Sequence, residues 1–156
     1  MATRTSRQTL VSLRANANFR GPTITDWADD LVARHGIEEA LSQLRQRVEA
    51  GHEAAIYELD RRLAELGRLE ELRSRSANGD YQAAVKLGDV LAQQGRIEDA
   101  LAELRQHAER DTIAAERLVG LLADHRRVEE LEAEVAAGTW GAALRLAGLR
   151  SSPYPR

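Results

Sequence analysis

A short residue pattern recurs four times along this 156-residue chain. Each copy consists of an apolar residue, two acidic residues and a further apolar residue, and the copies begin at Ile37, Leu69, Ile97 and Val128. The starting positions are 32, 28 and 31 residues apart, within the range of about 20–50 residues that is typical of helical repeat arrays. Paired acids suit the first turn of a helix, where the helix dipole is positive. The chain is therefore predicted to be an array of helical repeats.

A second motif lies between these copies and marks the start of another helix. Gly or Arg begins it, paired alanines follow, and a leucine closes it at Leu59, Leu87, Leu118 and Leu146. Gly commonly ends a helix, and alanine at a crossing allows two helices to approach closely. Each repeat is thus predicted to be a helical hairpin. The predicted helices span 26–35, 37–50, 53–66, 69–77, 80–94, 97–109, 111–125, 128–137 and 139–149.

The composition supports an all-α fold and narrows the class of protein. The sequence contains 26 Ala and 21 Leu but only 4% aromatic residues, which favours packed helices over a β-sandwich or barrel. Without Cys it has no disulfide, no thiol nucleophile and no Cys-ligated metal. It also has neither an uncharged stretch of the about 20 residues that cross a bilayer nor the apolar core of a secretory signal. We therefore expect a cytoplasmic protein without a membrane segment.

One hairpin resembles a known repeat family. The pattern Leu87-Gly88-x-x-Leu91-x-x-x-Gly95-x-x-x-x-Ala100 is similar to the tetratricopeptide repeat, and the junctions Gly79–Leu87 and Gly138–Leu146 look like its Sel-like variant. The resemblance covers residues 26–149. It implies a right-handed α-solenoid of about four helical hairpins plus a C-terminal capping helix. In this family the first helix of each hairpin lines a concave peptide-binding groove, and most members are non-catalytic adaptors or scaffolds.

The groove positions of the family can be transferred to this chain by aligning Leu59, Leu87 and Leu118. The resemblance then implies a partner-binding groove lined by Tyr57, Arg61, Glu65, Val85, Asp89, Gln93, Glu116, Asp124 and Leu144. This set contains one cation and four carboxylates, with one Tyr, one Val and one Leu as apolar contacts. We therefore expect a weakly acidic groove whose partner is a protein or peptide of basic or mixed charge. The alternative interpretation is a set of solvated helix faces that bind nothing.

The first 25 residues differ in charge from the rest of the chain. They contain no acid and four basic residues: Arg4, Arg7, Arg14 and Arg20. The segment therefore carries +4, and the remainder carries −7 because the total is −3. We expect a flexible basic arm, residues 1–25, that ends where Thr25 or Asp26 caps the first helix. Binding along the groove, to an acidic partner or to nucleic-acid phosphates remain open roles, beside a plain disordered tail or a mitochondrial transit peptide.

The C-terminal end of the predicted array has an unpaired helix. Helix 139–149 starts a fifth hairpin, but residues 150–156 form only a short tail with two prolines. A terminal repeat needs a polar outer face. We expect the tail, a second copy of the chain or a partner protein to cover the apolar side of this helix, which consists of Trp140, Leu144, Leu146 and Leu149.

No residue pattern indicates catalysis. The histidines are scattered, and no pair has the i, i+4 spacing of a helical zinc site: His35, His52, His107 and His125. The acid pairs at helix starts are expected to serve capping and solubility, and no Gly-rich phosphate loop or nucleophile elbow occurs. We therefore predict a non-enzymatic adaptor or scaffold without cofactor or metal. The alternatives are a DNA-associated regulatory protein that uses the basic arm, with nucleic acid the less favoured partner, and a self-assembling structural subunit.

Overall fold

The computed structural model describes residues 22–151, which form helices joined by short turns. The helices are α1 (Ile24–His35), α2 (Ile37–Glu49), α3 (Glu53–Glu65), α4 (Leu69–Ala77), α5 (Tyr81–Gln93), α6 (Ile97–Ala108), α7 (Thr112–Asp124), α8 (Val128–Ala137) and α9 (Ala142–Ser151). No strand occurs within residues 22–151, so the predicted all-α class is confirmed for this part of the chain.

Predicted and observed helix ends agree within two residues, except at the start of α9. The sequence predicts a start at residue 139, whereas α9 begins at Ala142. Thr139 instead lies in a turn, where its hydroxyl donates to Glu134 at 2.6 Å, and Gly141 adopts a φ of +80°. A residue in this left-handed region interrupts the helical path, so the helix starts only after it.

Helix α1 begins with a capping box, upstream of the cap that the sequence suggests. The Thr23 hydroxyl accepts a hydrogen bond from the Asp26 N–H at 3.1 Å, and the Asp26 carboxylate accepts one from the Thr23 N–H at 2.8 Å. The backbone hydrogen bond from Thr23 also lowers the pKa of Asp26. Thr25 and Asp26 therefore lie inside the helix, and the expectation that one of them is its N-cap is wrong.

The chain divides into two compact units, with the boundary between Ala55 and Ile56. In the first unit, α1 packs on α2, and Leu41 is among the buried residues. The guanidinium carbon of Arg47 lies 4.0 Å from the centre of the Trp27 ring. This cation–π contact joins the two helices of the unit.

In the second unit, each helix from α4 onward packs on its neighbour in sequence. The contacts run from α4 on α5 to α8 on α9, and α5 also contacts α7 while α7 contacts α9. Recurrent alanines of the second motif are fully buried, at Ala83, Ala84, Ala114 and Ala115. The core of the C-terminal half consists of Leu101, Leu104, Leu118, Val119, Leu122, Leu131, Ala142 and Leu146. Small residues at the crossings and leucines between them therefore fill the space between successive helices.

Two glycines lie within helices and have different surroundings. Gly88 in α5 is buried, and a Cβ atom placed on it would lie 3.0–3.3 Å from three side-chain carbons of Leu104 in α6. A Cβ atom on Gly120 in α7 would have no such neighbour within 4 Å. Helices α5 and α6 therefore approach more closely at Gly88 than a side chain would allow.

We predict opposite effects for the same substitution at these two glycines. Gly120→Ala should raise the free energy of unfolding by about 0.5–1 kcal/mol, because alanine loses less backbone entropy in a helix. Gly88→Ala should lower it by about 1–2 kcal/mol, because the added methyl group must displace the buried Leu104 side chain. Urea denaturation followed by circular dichroism measures both changes. A gain of stability for Gly88→Ala would contradict the close approach of α5 and α6.

Candidate functional site

Three cavities follow one another on a face of the second unit that α3, α5, α7 and α9 form. The α3/α5, α5/α7 and α7/α9 cavities have volumes of about 230, 260 and 700 Å³. Asp89 and Gln93 line both of the first two, and Asp124 lines both of the last two. The cavities thus form one continuous surface, named the odd-helix face here. Its charged and largest apolar residues are Arg61, Glu65, Lys86, Asp89, Glu116, Arg117, Asp124, Trp140, Leu144 and Arg145.

Seven of the nine groove residues that the family resemblance implies lie on the odd-helix face. They are Arg61, Glu65, Asp89, Gln93, Glu116, Asp124 and Leu144. Tyr57 lies beside this face, since the ammonium nitrogen of Lys86 is 4.8 Å from the centre of its ring. Val85 is partly buried against the core, so it is not the open apolar contact expected at that position. The structure brings the seven residues together, and their role in binding stays a prediction.

The odd-helix face has balanced charge, which corrects the expectation of an acidic groove. Four carboxylates and four cations line it: Glu65, Asp89, Glu116, Asp124, Arg61, Lys86, Arg117 and Arg145. Three ion pairs form among them: Arg61 with Glu65 at 2.5 Å, Arg117 with Asp89, and Arg145 with Glu116 at 4.0 Å. The repeat register selects one residue per helical turn, whereas the open side of a helix is about 100° wide or more and includes the neighbouring cations.

The α7/α9 cavity differs from the other two in its apolar lining. Trp140 and Leu144 are 57% and 78% exposed, and they line the cavity together with Val119 and Leu149. Leu146, which the sequence analysis assigns to the same surface, is only 7% exposed and belongs to the core. Its assignment to an open face is wrong because residues two positions apart in a helix point about 200° apart.

Asp124 carries an unpaired carboxylate on this face. It has no hydrogen-bond or ion-pair partner within residues 22–151. Asp124 is also the last residue of α7, where the terminal carbonyl groups already produce a negative potential. The rim that it shares between two cavities is therefore a place where a cation would be stabilised.

A buried ion-pair network joins α3, α4 and α5. Arg75 donates from Nε to Asp60 at 2.6 Å and from Nη2 to Asp80 at 2.6 Å, and Asp80 is the N-cap of α5. Asp60 is fully buried, and its Oδ2 atom has no hydrogen-bond partner within the described residues. Burial raises the pKa of Asp60 from its usual 3.8 to about 6, although Arg75 opposes the shift. The sequence analysis misses this network; the available signal is an acid three residues before the buried Leu63.

A second polar cluster lies between α4 and α6. The hydroxyl of Ser76, a buried residue, donates to Glu103, and its oxygen is 3.0 Å from Nε2 of His107. Because the hydroxyl proton is directed at Glu103, His107 donates to the serine oxygen rather than accepting from it. This arrangement does not activate Ser76 as a nucleophile, since His107 is not positioned to take its proton. The cluster is a polar contact between two helices.

Other predicted features lie outside the described residues or show no site. The basic-arm residues Arg4, Arg7, Arg14 and Arg20 and the tail from residue 152 are not among the described residues. Within residues 22–151, no group of three or more His, Asp or Glu could hold a metal ion. No helix in this described part of the chain is long and apolar enough to cross a membrane.

Comparisons with known proteins identify no relative of this chain. A scan of family models, a search of curated proteins and a search of solved structures each find no match. The tetratricopeptide and Sel-like resemblance therefore rests on the residue pattern alone. The role of the odd-helix face has to be inferred from its own geometry.

We predict that Asp60 makes stability depend on pH. The raised pKa means that the folded chain binds this proton more tightly than the unfolded chain, so the benefit is present below pH 4 and is lost as pH rises through about 6. Asp60→Asn should flatten the free energy of unfolding between pH 4 and 6, a change of up to about 3 kcal/mol. The variant should also be at least as stable as the wild type at pH 7.

Denaturation midpoints in urea, measured at half-unit pH intervals, check this prediction. Asp99→Asn is the matched control, because Asp99 is an exposed carboxylate whose partner Arg96 is exposed as well. Other carboxylates titrate in both variants, so the difference between the two curves isolates Asp60. Parallel pH profiles for the two variants would contradict the assignment.

We predict that truncating two leucines of α9 has very different costs. Leu146→Ala should lower the free energy of unfolding by about 2–4 kcal/mol, because it leaves a cavity in the core. Leu144→Ala should change it by less than about 0.5 kcal/mol, because the side chain contributes little to the fold. Urea denaturation distinguishes the two, and equal costs would be inconsistent with the orientation of α9.

Proposed function

We propose that this chain is a non-catalytic protein-interaction module, an adaptor or scaffold, that binds a segment of another protein along the odd-helix face. The observation that carries the proposal is the continuity of the three cavities, which share Asp89, Gln93 and Asp124. A row of connected depressions suits an extended polypeptide better than a compact small molecule. The cysteine-free composition favours the cytoplasm as the place of this role.

The proposed architecture is the right-handed α-solenoid of tetratricopeptide or Sel-like type that the repeats suggest. Its support is the contact pattern within residues 56–151, where α5 touches both α6 and α7, and α7 touches both α8 and α9. In such arrays the first helices of successive hairpins form an extended binding surface. With helix axes about 8–10 Å apart, the row from α3 to α9 would span about 25–30 Å, or about eight residues of extended chain.

The chemistry of the face favours a partner of mixed charge. Its carboxylates and cations balance in number, and three pairs already satisfy one another, so no single sign of charge dominates. Affinity would then come chiefly from apolar side chains at Trp140 and Leu144, while the charges set the orientation of the bound segment. The basic partner first expected from the sequence is accordingly replaced by one of mixed charge.

We predict that peptides selected from a random library on the immobilised full-length chain bind along this face. Gln93 and Gln94 provide a matched pair, because both are exposed neighbours but only Gln93 lines the cavities. Gln93→Trp should weaken binding at least five-fold by obstructing two cavities, whereas Gln94→Trp should leave it unchanged. Fluorescence anisotropy of labelled peptides measures the affinities.

Backbone amide chemical shifts locate the bound peptide independently. Shifts should move at the residues of α3, α5, α7 and α9 that line the face. The control positions are exposed residues of the intervening helices, such as Glu98 and Glu132. Shifts confined to α4, α6 and α8, or a selection that enriches no peptide, would reject the proposed function. Concentration-dependent light scattering without a peptide would favour the self-assembling alternative.

A further inference from the structure

The α7/α9 cavity is the largest and most apolar part of the odd-helix face. Its volume of about 700 Å³ exceeds those of the α3/α5 and α5/α7 cavities, at about 230 and 260 Å³. Cavities of this size can enclose a large side chain together with part of its backbone. The α7/α9 cavity is therefore the place on the face where a bound segment could bury an anchoring side chain.

The exposed apolar groups at this cavity are not needed for the fold. Leu144 is 78% exposed, whereas Leu146 and Ala142 of the same helix are buried and hold α9 against the core. At the register of Leu144 in the preceding odd helices, Glu116 is charged and Val85 is packed against the core. Large apolar side chains that remain open to water beside a cavity mark a surface that another molecule covers.

The rim of the cavity selects the charge of that molecule. Glu116 and Asp124 provide two carboxylates and Arg145 one cation, which leaves one negative charge. Arg145 and Glu116 are each about half exposed and 4.0 Å apart, whereas Asp124 has no partner within residues 22–151. A cation placed near Asp124 would meet both its carboxylate and the negative end of α7.

We propose that the α7/α9 cavity is the anchor subsite for a partner segment in which one large apolar side chain is followed closely by Lys or Arg. The apolar side chain packs against Trp140, Leu144 and Val119, and the basic group lies against Asp124. This inference rests on the proposed function, to which it adds the chemistry of the ligand. Burial of the apolar group supplies affinity, and the basic group specifies the orientation of the segment.

Charge complementarity favours such a partner over a second copy of this chain. In a two-fold symmetric dimer the same surface faces itself, so two rims of like negative charge would be brought together. The chain's own residues 152–156 contain Tyr154 and Arg156, which have the required chemistry. Occupation by that tail is therefore an outcome that the experiment has to distinguish.

The test uses synthetic seven-residue peptides of Gly and Ser that carry one Leu and, one to three positions later, one Arg. Matched peptides replace the Arg by Glu or the Leu by Ser. In a Trp27→Phe background, Trp140 is the sole tryptophan and reports occupation through its indole N–H resonance and its fluorescence. At low salt, the best Leu–Arg peptide should bind at least five-fold more tightly than its Leu–Glu counterpart, and the Leu-free peptide should not move the Trp140 signal.

Asp124→Arg should abolish or reverse this preference without loss of stability, because a cation suits the C-terminal end of a helix. Glu109→Arg is the matched control, since Glu109 is an exposed residue at the C-terminal end of α6 and lies outside the odd-helix face. It should leave the preference intact. Equal binding of the Arg and Glu peptides to the wild type, or an unchanged preference in Asp124→Arg, would overturn the proposal.

Three further outcomes separate this inference from the proposed function. If library-selected peptides shift the Arg61 and Gln93 region but leave Trp140 unmoved, the anchor subsite is wrong and the interaction module stands. If neither peptide set binds anywhere on the face, both proposals fail. If removal of residues 152–156 moves the Trp140 signal without any peptide, or if that signal follows dissociation of a dimer on dilution, the tail or a second copy is the occupant and the partner proposal is overturned.

Discussion

The second unit depends on apolar packing between helices that are neighbours in sequence. A single amphipathic hairpin leaves its apolar side open, and in this chain the next helices cover it, as α7 does for α5 and α6. The contact is close: Gly88 lies against Leu104, and the alanines at Ala83 and Ala114 are fully buried. Because the core is used up between successive helices, the residues on their outer surfaces are available for binding.

Electrostatics add to this packing in two different ways. The Asp60–Arg75–Asp80 network is buried and joins three helices, but it leaves one carboxylate oxygen without a partner, so it is a costly means of holding α3, α4 and α5 in register. On the odd-helix face, by contrast, ion pairs such as Arg61–Glu65 are partly exposed and contribute little to stability. The unpaired Asp124 stands apart from both groups, which is why it carries the argument for a basic ligand group.

The functional argument connects these two properties of the structure. Leu146 and Ala142 fasten α9 to the core, which leaves Leu144 and Trp140 beside a cavity that the fold does not fill. The paired charges along α3, α5 and α7 make the rest of the face neutral, so a bound segment gains most from an apolar anchor. A protein-interaction module with an anchor subsite at α9 is the conclusion that these observations support together.

The sequence by itself determined the helices and most members of the candidate site. The repeat spacing located every described helix, and the leucine register placed seven residues on one face, because both depend on local periodicity that the chain carries in its order of residues. The tertiary structure decided the rest. Whether Leu144 or Leu146 faces the core, whether Val85 is open, and which of Arg117 and Lys86 share the face with Asp89 all depend on how neighbouring helices rotate against one another. The burial of Asp60 and the loneliness of Asp124 likewise arise from contacts between distant residues, which no local pattern encodes.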